Sequence, residues 1–303
     1  MSVRAPDFFI VGAPKCGTTS LHRYLQAHPQ LYMPQRKELP YLATDLTDQR
    51  PGMALSGEAY NDYFKEAGAR MAGASWVMYL YSKRAAQELR AFSPEARILV
   101  LLRSPAEMLY SYHSQLLTHG LEEIENFEKA LDAEADRKRG KRLPNWLPYP
   151  ESCLYYTEVA RYAEQLERYF DAFGRERTHV ALFDDFCGRT AEVYRDALRF
   201  LGVDDQFAPS FERANPNARA RNASFQRRLI SPPRWAAGVF RRLPKPVQRF
   251  GRTIQERLFH MNTREAPRPP MNSETRERLI REMEPETRRL EALLGCDLSA
   301  WRT

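Results

Sequence analysis

Short apolar runs alternate with amphipathic stretches from the N-terminus through Gly202, and the alternation sets the expected element order. Phe8 to Val11 lies between Pro6 and Gly12. It reads as a buried parallel strand, although so short a run also suits a buried helix segment. Leu21, Tyr24 and Leu25 then fall at i, i+3 and i+4, which predicts a helix capped by Thr18 or Thr19. Prolines 29 and 34 bracket a short strand at Leu31–Met33. Tyr60, Tyr63 and Phe64 mark an amphipathic helix, Ser75–Tyr81 a strand or short buried segment, and Lys83–Phe92 a helix closed by Ser93-Pro94. Arg97–Pro105 is a second buried strand, with five consecutive apolar residues, followed by a helix over Ala106–Leu117. A charged helix is expected over Glu122–Arg142, a long helix over Ser152–Phe173, a third strand over Thr178–Phe183 and a helix over Glu192–Leu201. Asp184-Asp185 at the third strand's end suits either helix capping or a metal, with capping favoured because no ligand cluster accompanies it.

Beyond Ala208 the periodicity fades. Phe225–Arg264 mixes Trp235, Val239, Phe240 and Val247 with many arginines, the pattern of one or two basic amphipathic helices, and Pro267–Trp301 returns to helix. Strands alternating with helices predict an α/β fold: P-loop-like and three-layered, with a central, mostly parallel sheet and helical, basic C-terminal additions. One domain over 1–303, with a basic, partly helical insertion at about 213–264, is the expected organisation.

A chain of 303 residues can bury a large core without disulfides. Its cysteines, Cys16, Cys153, Cys187 and Cys296, are scattered, with no CxxC pair and no histidine at ligand spacing. That pattern points to a reduced, cytoplasmic protein without a metal centre. The apolar run at 8–13 is too short for a signal peptide, and no run reaches membrane-spanning length. The net charge of +7 is uneven: between Arg213 and Arg257 twelve Lys/Arg face a single Glu. Such a stretch suits nucleic acid, a phosphate-rich ligand or an anionic lipid surface, with solvated charge as the plain alternative.

Candidate chemistry begins at the first loop. A strand, a Gly-containing turn and a helix N-terminus aim backbone N–H groups at an anion, and Lys15, Thr18, Thr19 and Ser20 add a charge and hydroxyls. The kinase pattern needs lysine directly after the second glycine, whereas Lys15 precedes Gly17 by two residues. At the end of the second strand a kinase would place a Mg²⁺-binding aspartate. Arg103 stands there instead, a residue suited to direct capture of a phosphate.

GAPKCGTTSL, with Arg103 and Ser111 in RSPAEMLYSYHS, resembles the nucleotide-dependent sulfotransferases. The nearest resemblance is to the bacterial group related to the heparan sulfate sulfotransferases, which use 3′-phosphoadenylyl sulfate (PAPS). The segments RYAEQLERYFDAFGRERTHVALFDDF and PPMNSETRERLIREMEPETRRLEALLGCDLSAW extend it over most of the chain outside about 230–262. The resemblance implies that Lys15, Cys16, Gly17, Thr18, Thr19 and Ser20 hold the 5′-phosphosulfate, and that Arg103 and Ser111 hold the 3′-phosphate. A late basic loop covers that phosphate in the family, and Arg219 and Arg221 are its counterparts here. Lys37-Glu38 matches the Lys-Glu pair whose Glu is the catalytic base, which leaves His113 as the reserve and puts Lys37 beside the acceptor. Where relatives carry Gly-Glu-Ala or Gly-Glu-Ser, this chain reads Ala72-Gly73-Ala74-Ser75, so a different acceptor pocket is expected.

The implied reaction is in-line sulfuryl transfer without a metal, with Lys15 neutralising charge on the bridging oxygen and adenosine 3′,5′-bisphosphate as product. The implied acceptor is a hydroxyl, or less favourably an amine, of a carbohydrate, glycolipid or small natural product. No nucleic-acid partner is expected, and the basic 213–257 stretch is the candidate for peripheral membrane contact. Two other readings compete: a P-loop-type small-molecule kinase dependent on ATP and Mg²⁺, and a basic nucleic-acid or membrane-binding module without catalysis.

Overall fold

The strands Phe8–Gly12 (β1), Leu31–Tyr32 (β2), Met71–Ser75 (β3), Arg97–Leu102 (β4) and Thr178–Leu182 (β5) form one sheet in the order β2-β3-β1-β4-β5. Every pairing in it is parallel. This computed structural model describes residues 4–49, 53–144, 147, 149–212, 218–222, 225–226, 229, 247, 251, 254, 257–259, 261–266 and 268–303. Phe8 to Val11 and Ile98 to Leu102 are all buried, as strands covered on both faces require. Helices flank the sheet, the main ones being Thr18–Gln26 (α1), Ala85–Phe92 (α2), Pro105–Thr118 (α3), Tyr162–Phe173 (α4), Phe183–Gly188 (α5), Thr190–Leu201 (α6) and Ser273–Leu294 (α7). The central β1 has β3 on one side and β4 on the other, so the strand order reverses around it. Open α/β sheets bind ligands at such a switch point, outside the strands' carboxyl ends.

Contacts divide the chain into two compact units. The first comprises Met1–Leu109, Tyr155–Asn215 and Ser273–Thr303, and contains the sheet. The second comprises Tyr110–Leu154 and Pro216–Asn272. Within it, Ala218–Ala220 (β6) and Thr263–Glu265 (β7) pair antiparallel, and Arg137 is fully buried with Nη2 2.8 Å from the Glu122 carboxylate. Substituting Glu122→Leu would leave that guanidinium buried beside an apolar group. The expected cost is about 3–5 kcal/mol, read as a lower urea midpoint at unchanged slope.

Local interactions explain where the elements depart from expectation. The predicted helix over Glu122–Arg142 starts only at Phe127, because Glu122 accepts the N–H groups of Glu123 and Ile124 (2.8 and 2.9 Å) and Asn126 caps the next turn. It then runs as two short helices, Phe127–Asp132 and Glu134–Arg137. Ser152–Phe173 is likewise broken, into a 3₁₀ turn at Glu151–Leu154, a short helix at Tyr156–Val159, and α4. Gln165 Nε2 donates to the carbonyls of Glu158 and Val159 (3.0 and 3.1 Å), and Glu286 accepts the Ala163 N–H at 2.7 Å, so both ends at the break are satisfied. The third strand is Met71–Ser75, with Trp76–Tyr81 a buried turn beyond it. Small residues make this strand, since a β-carbon at Gly73 would strike the Phe8 ring and the Met33 sulfur. Asp184 and Asp185 lie in the first turn of α5, one accepting from Trp301 Nε1 at 3.2 Å and the other paired with Arg189 at 2.7 Å. There they complement the helix dipole rather than cap its end. Trp235, Val239 and Phe240 of the expected basic helices lie outside the described residues.

Candidate active site

Backbone geometry shapes the first loop. From the end of β1 the Ala13 N–H donates to the Leu101 carbonyl at 2.8 Å, which ties the loop to β4. Lys15 and Gly17 both have positive φ (62° and 85°), alternating with Cys16. Alternating handedness of this kind turns successive N–H groups toward one concavity, a site for an anion. Gly17 takes the N-cap position of α1 and has no side chain to cap with, so the expected Thr18 or Thr19 cap is absent. Thr18 is buried, while Thr19 and Ser20 are half-buried.

Gly17 is required twice over, by its φ and by space. A β-carbon there would lie 3.0 Å from the Phe186 ring and 3.2 Å from Phe183. Gly17→Val is expected to weaken binding of a nucleotide phosphate about ten-fold or more and to cost roughly 1–3 kcal/mol of stability. Calorimetry and thermal unfolding measure the two.

Cys16 is fully buried, and its thiol donates to the Pro14 carbonyl at 3.3 Å. Burial pushes its pKa up to about 12, partly offset by the nearby Arg103. It is a packing residue, not a nucleophile.

Arg103 follows β4. Its guanidinium lies 4.7 Å from the Phe183 ring centroid, with Nη2 3.4 Å from the Glu107 carboxylate. Glu38 reaches the same end of the sheet by a different route. Leu39 N–H donates to the Ser75 carbonyl at 3.0 Å, and Val77 N–H donates to the Glu38 carboxylate at 3.1 Å, which fixes Glu38 beyond β3. Lys37 closes an ion pair on the other carboxylate oxygen, the two side chains being 14% and 40% exposed. Glu38 itself has φ 65°, so this residue is held in a left-handed turn. Below the pair, burial and then the Lys37 charge hold the His22 imidazole at about 4, and its Nε2 faces the Pro34 carbonyl at 3.1 Å. His22 is therefore neutral near pH 7. The carboxyl ends of three neighbouring strands thus present an anion cradle, a guanidinium and a carboxylate.

In the second unit Ser111 is buried, and its hydroxyl accepts from Arg268 Nη2 at 2.9 Å. Arg268 also lies over the Tyr110 ring, 5.2 Å from its centroid. The late basic residues expected from the sequence were Arg219 and Arg221; Arg268 was not among them. The available signal was an arginine set among prolines just before α7. The Arg219 backbone pairs with Arg264 across β6 and β7, and its side chain lies outside the described residues. Arg221 is exposed, its N–H bonded to the Asn262 carbonyl at 2.6 Å. His113 is buried in the second unit, Nε2 2.8 Å from the Ile124 carbonyl, and burial lowers its pKa. It lines a cavity of about 550 Å³ with Tyr110, Glu125 and Arg268. Among the described residues, no group of three or more His, Cys, Asp or Glu is arranged to hold a metal ion. No helix among them is long and apolar enough to cross a membrane.

The sheet has the open α/β form whose ligands bind outside the strands' carboxyl ends. The chain belongs to the sulfotransferase family, whose Sulfotransferase domain model matches residues 5–226. The structure of a sulfotransferase from Alicyclobacillus acidocaldarius superposes with a TM-score of 0.73 at 30% identity, over 99% of this chain and 100% of that one. Carbohydrate sulfotransferase 15 of Rattus norvegicus is 26% identical over 256 residues, covering 65% of this chain and 44% of its own length. Membrane-associated sulfotransferase kil1 of Dictyostelium discoideum is 29% identical over 109 residues, covering 36% and 22% respectively. This chain therefore spans less than half the length of these curated relatives.

Proposed function

We propose that the enzyme moves the sulfuryl group of PAPS to a hydroxyl of a carbohydrate, glycolipid or small natural product. One observation carries this reading: the Glu38 carboxylate, paired with Lys37 and the Val77 N–H, stands at the end of β3, next to the strand that bears the Lys15 loop. A proton acceptor and an anion cradle on adjacent strands are what in-line transfer to a hydroxyl requires.

The loop suits a phosphosulfate, since its two left-handed residues are a lysine, Lys15, and a glycine, Gly17, with tight space beside it. Lys15, Gly17, Thr18, Thr19 and Ser20 would hold it, and Arg103 would take the 3′-phosphate, to which the motif also assigns Ser111. PAPS supplies the activated sulfuryl group. Glu38 accepts the proton of the acceptor hydroxyl, Lys37 fixes the carboxylate's direction, and Lys15 offers its ammonium to charge building on the bridging oxygen. A carbohydrate is the favoured acceptor, in keeping with the name of the matched carbohydrate sulfotransferase 15.

Calorimetry with adenosine 3′,5′-bisphosphate and, separately, ATP–Mg²⁺ tests the donor. Tight binding of the bisphosphate alone is expected. Preference for ATP–Mg²⁺ would return the protein to the kinase reading.

A further inference from the structure

Arg103 shares its carboxylate partner. Glu107, one turn into α3, approaches Arg103 Nη2 at 3.4 Å with one oxygen and Arg276 Nε at 3.6 Å with the other. Arg276 belongs to the first turn of α7, a segment far from Arg103 in sequence. All three side chains are partly exposed, at 21%, 35% and 38%. Both separations exceed the roughly 2.7–2.9 Å of a tight charge-assisted hydrogen bond, so the carboxylate bridges the two cations loosely. Exposed pairs of this kind add little to stability. Phe183 covers one face of the Arg103 guanidinium and holds its plane. Two guanidiniums around one loosely held carboxylate are set up to exchange that carboxylate for a better anion.

We propose that Arg276 is a second guanidinium of the strand-end phosphate site, and that Glu107 is an internal anion which the nucleotide's 3′-phosphate displaces. The inference rests on the PAPS reading above. A phosphate dianion engages both arginines, whereas Glu107 returns as the product leaves and keeps the product from binding too tightly. A nucleotide without a 3′-phosphate leaves Glu107 in place.

Calorimetry on the full chain with adenosine 3′,5′-bisphosphate and with adenosine 5′-phosphate tests this. Arg276→Gln is expected to weaken the bisphosphate about ten-fold and to leave the 5′-phosphate unchanged. Glu107→Gln is expected to tighten the bisphosphate about five-fold, again without moving the 5′-phosphate; misfolding does not produce a gain of this kind. If Arg276→Gln weakens both nucleotides equally, or neither, or if Glu107→Gln weakens the bisphosphate, Arg276 only tethers α7 and the proposal is overturned. A wild-type protein that binds Arg276-independent ATP–Mg²⁺ but no bisphosphate overturns the donor reading, and this proposal with it.

Discussion

Lys15→Ala is expected to lower turnover by about two orders of magnitude or more while the protein stays folded. The backbone at this position already has positive φ, and lysine and alanine meet the same steric penalty there, so the exchange adds no strain. What it removes is one ammonium from the loop. A fixed charge aimed at developing negative charge acts mostly in the transition state, so kcat should fall further than donor affinity. Lys15→Arg keeps the charge but replaces a compact ammonium with a broad, planar group, and should recover only part of the loss. Turnover with saturating donor, together with calorimetric binding of adenosine 3′,5′-bisphosphate, separates the two effects. A Lys15→Ala enzyme with near-normal kcat and weakened donor binding would reduce Lys15 to an anchor.

The parts of this site that were legible in sequence are those fixed by local chemistry. Phe8–Val11 and Ile98–Leu102 are apolar without alternation, and both are buried strands of a parallel sheet. The loop after β1 and the arginine after β4 follow from those strands, because their residues are neighbours in sequence. What stayed hidden depends on partners far along the chain. The break before α4 is held partly by Glu286, over a hundred residues away, and apolar periodicity carries no trace of it. Ser75–Tyr81 is the short buried segment of the two alternatives, and β3 just before it went unread because Ala72, Gly73 and Ala74 look weak as a strand. Their smallness makes sense only once Phe8 and Met33 are known to press on them. Arg268 was missed for a related reason. Nothing in PRPP reveals that its guanidinium meets Ser111, whereas the arginines around 219–221 stood out by density alone.

The same distinction bears on the Lys-Glu pair. In sequence, Lys37-Glu38 stands out only through its match to the family's Lys-Glu pair. In the fold its carboxylate is fixed from two sides, by Lys37 and by the Val77 N–H, at the carboxyl end of β3. Glu38 also takes a left-handed backbone, which costs on the order of 1–3 kcal/mol at a residue other than glycine.

Glu38→Gln is therefore the sharper test of mechanism. The amide matches the carboxylate in size, and its oxygen still accepts from Val77 N–H, so the turn at 37–39 should persist. The side chain can no longer take a proton or pair with the Lys37 charge. Turnover is expected to fall about a hundred-fold, with donor binding within about two-fold of wild type, since the carboxylate lies outside the phosphate loop. Lys37→Met separates pairing from proton transfer. It leaves the base in place but frees its direction, so a smaller loss, about ten-fold, is expected. A Glu38→Gln variant retaining full activity would move the base elsewhere. His22 would be a poor heir, because burial and Lys37 leave it a weak base with its Nε2 turned to Pro34. His113, the reserve that the second motif carries, would then be the next candidate to substitute.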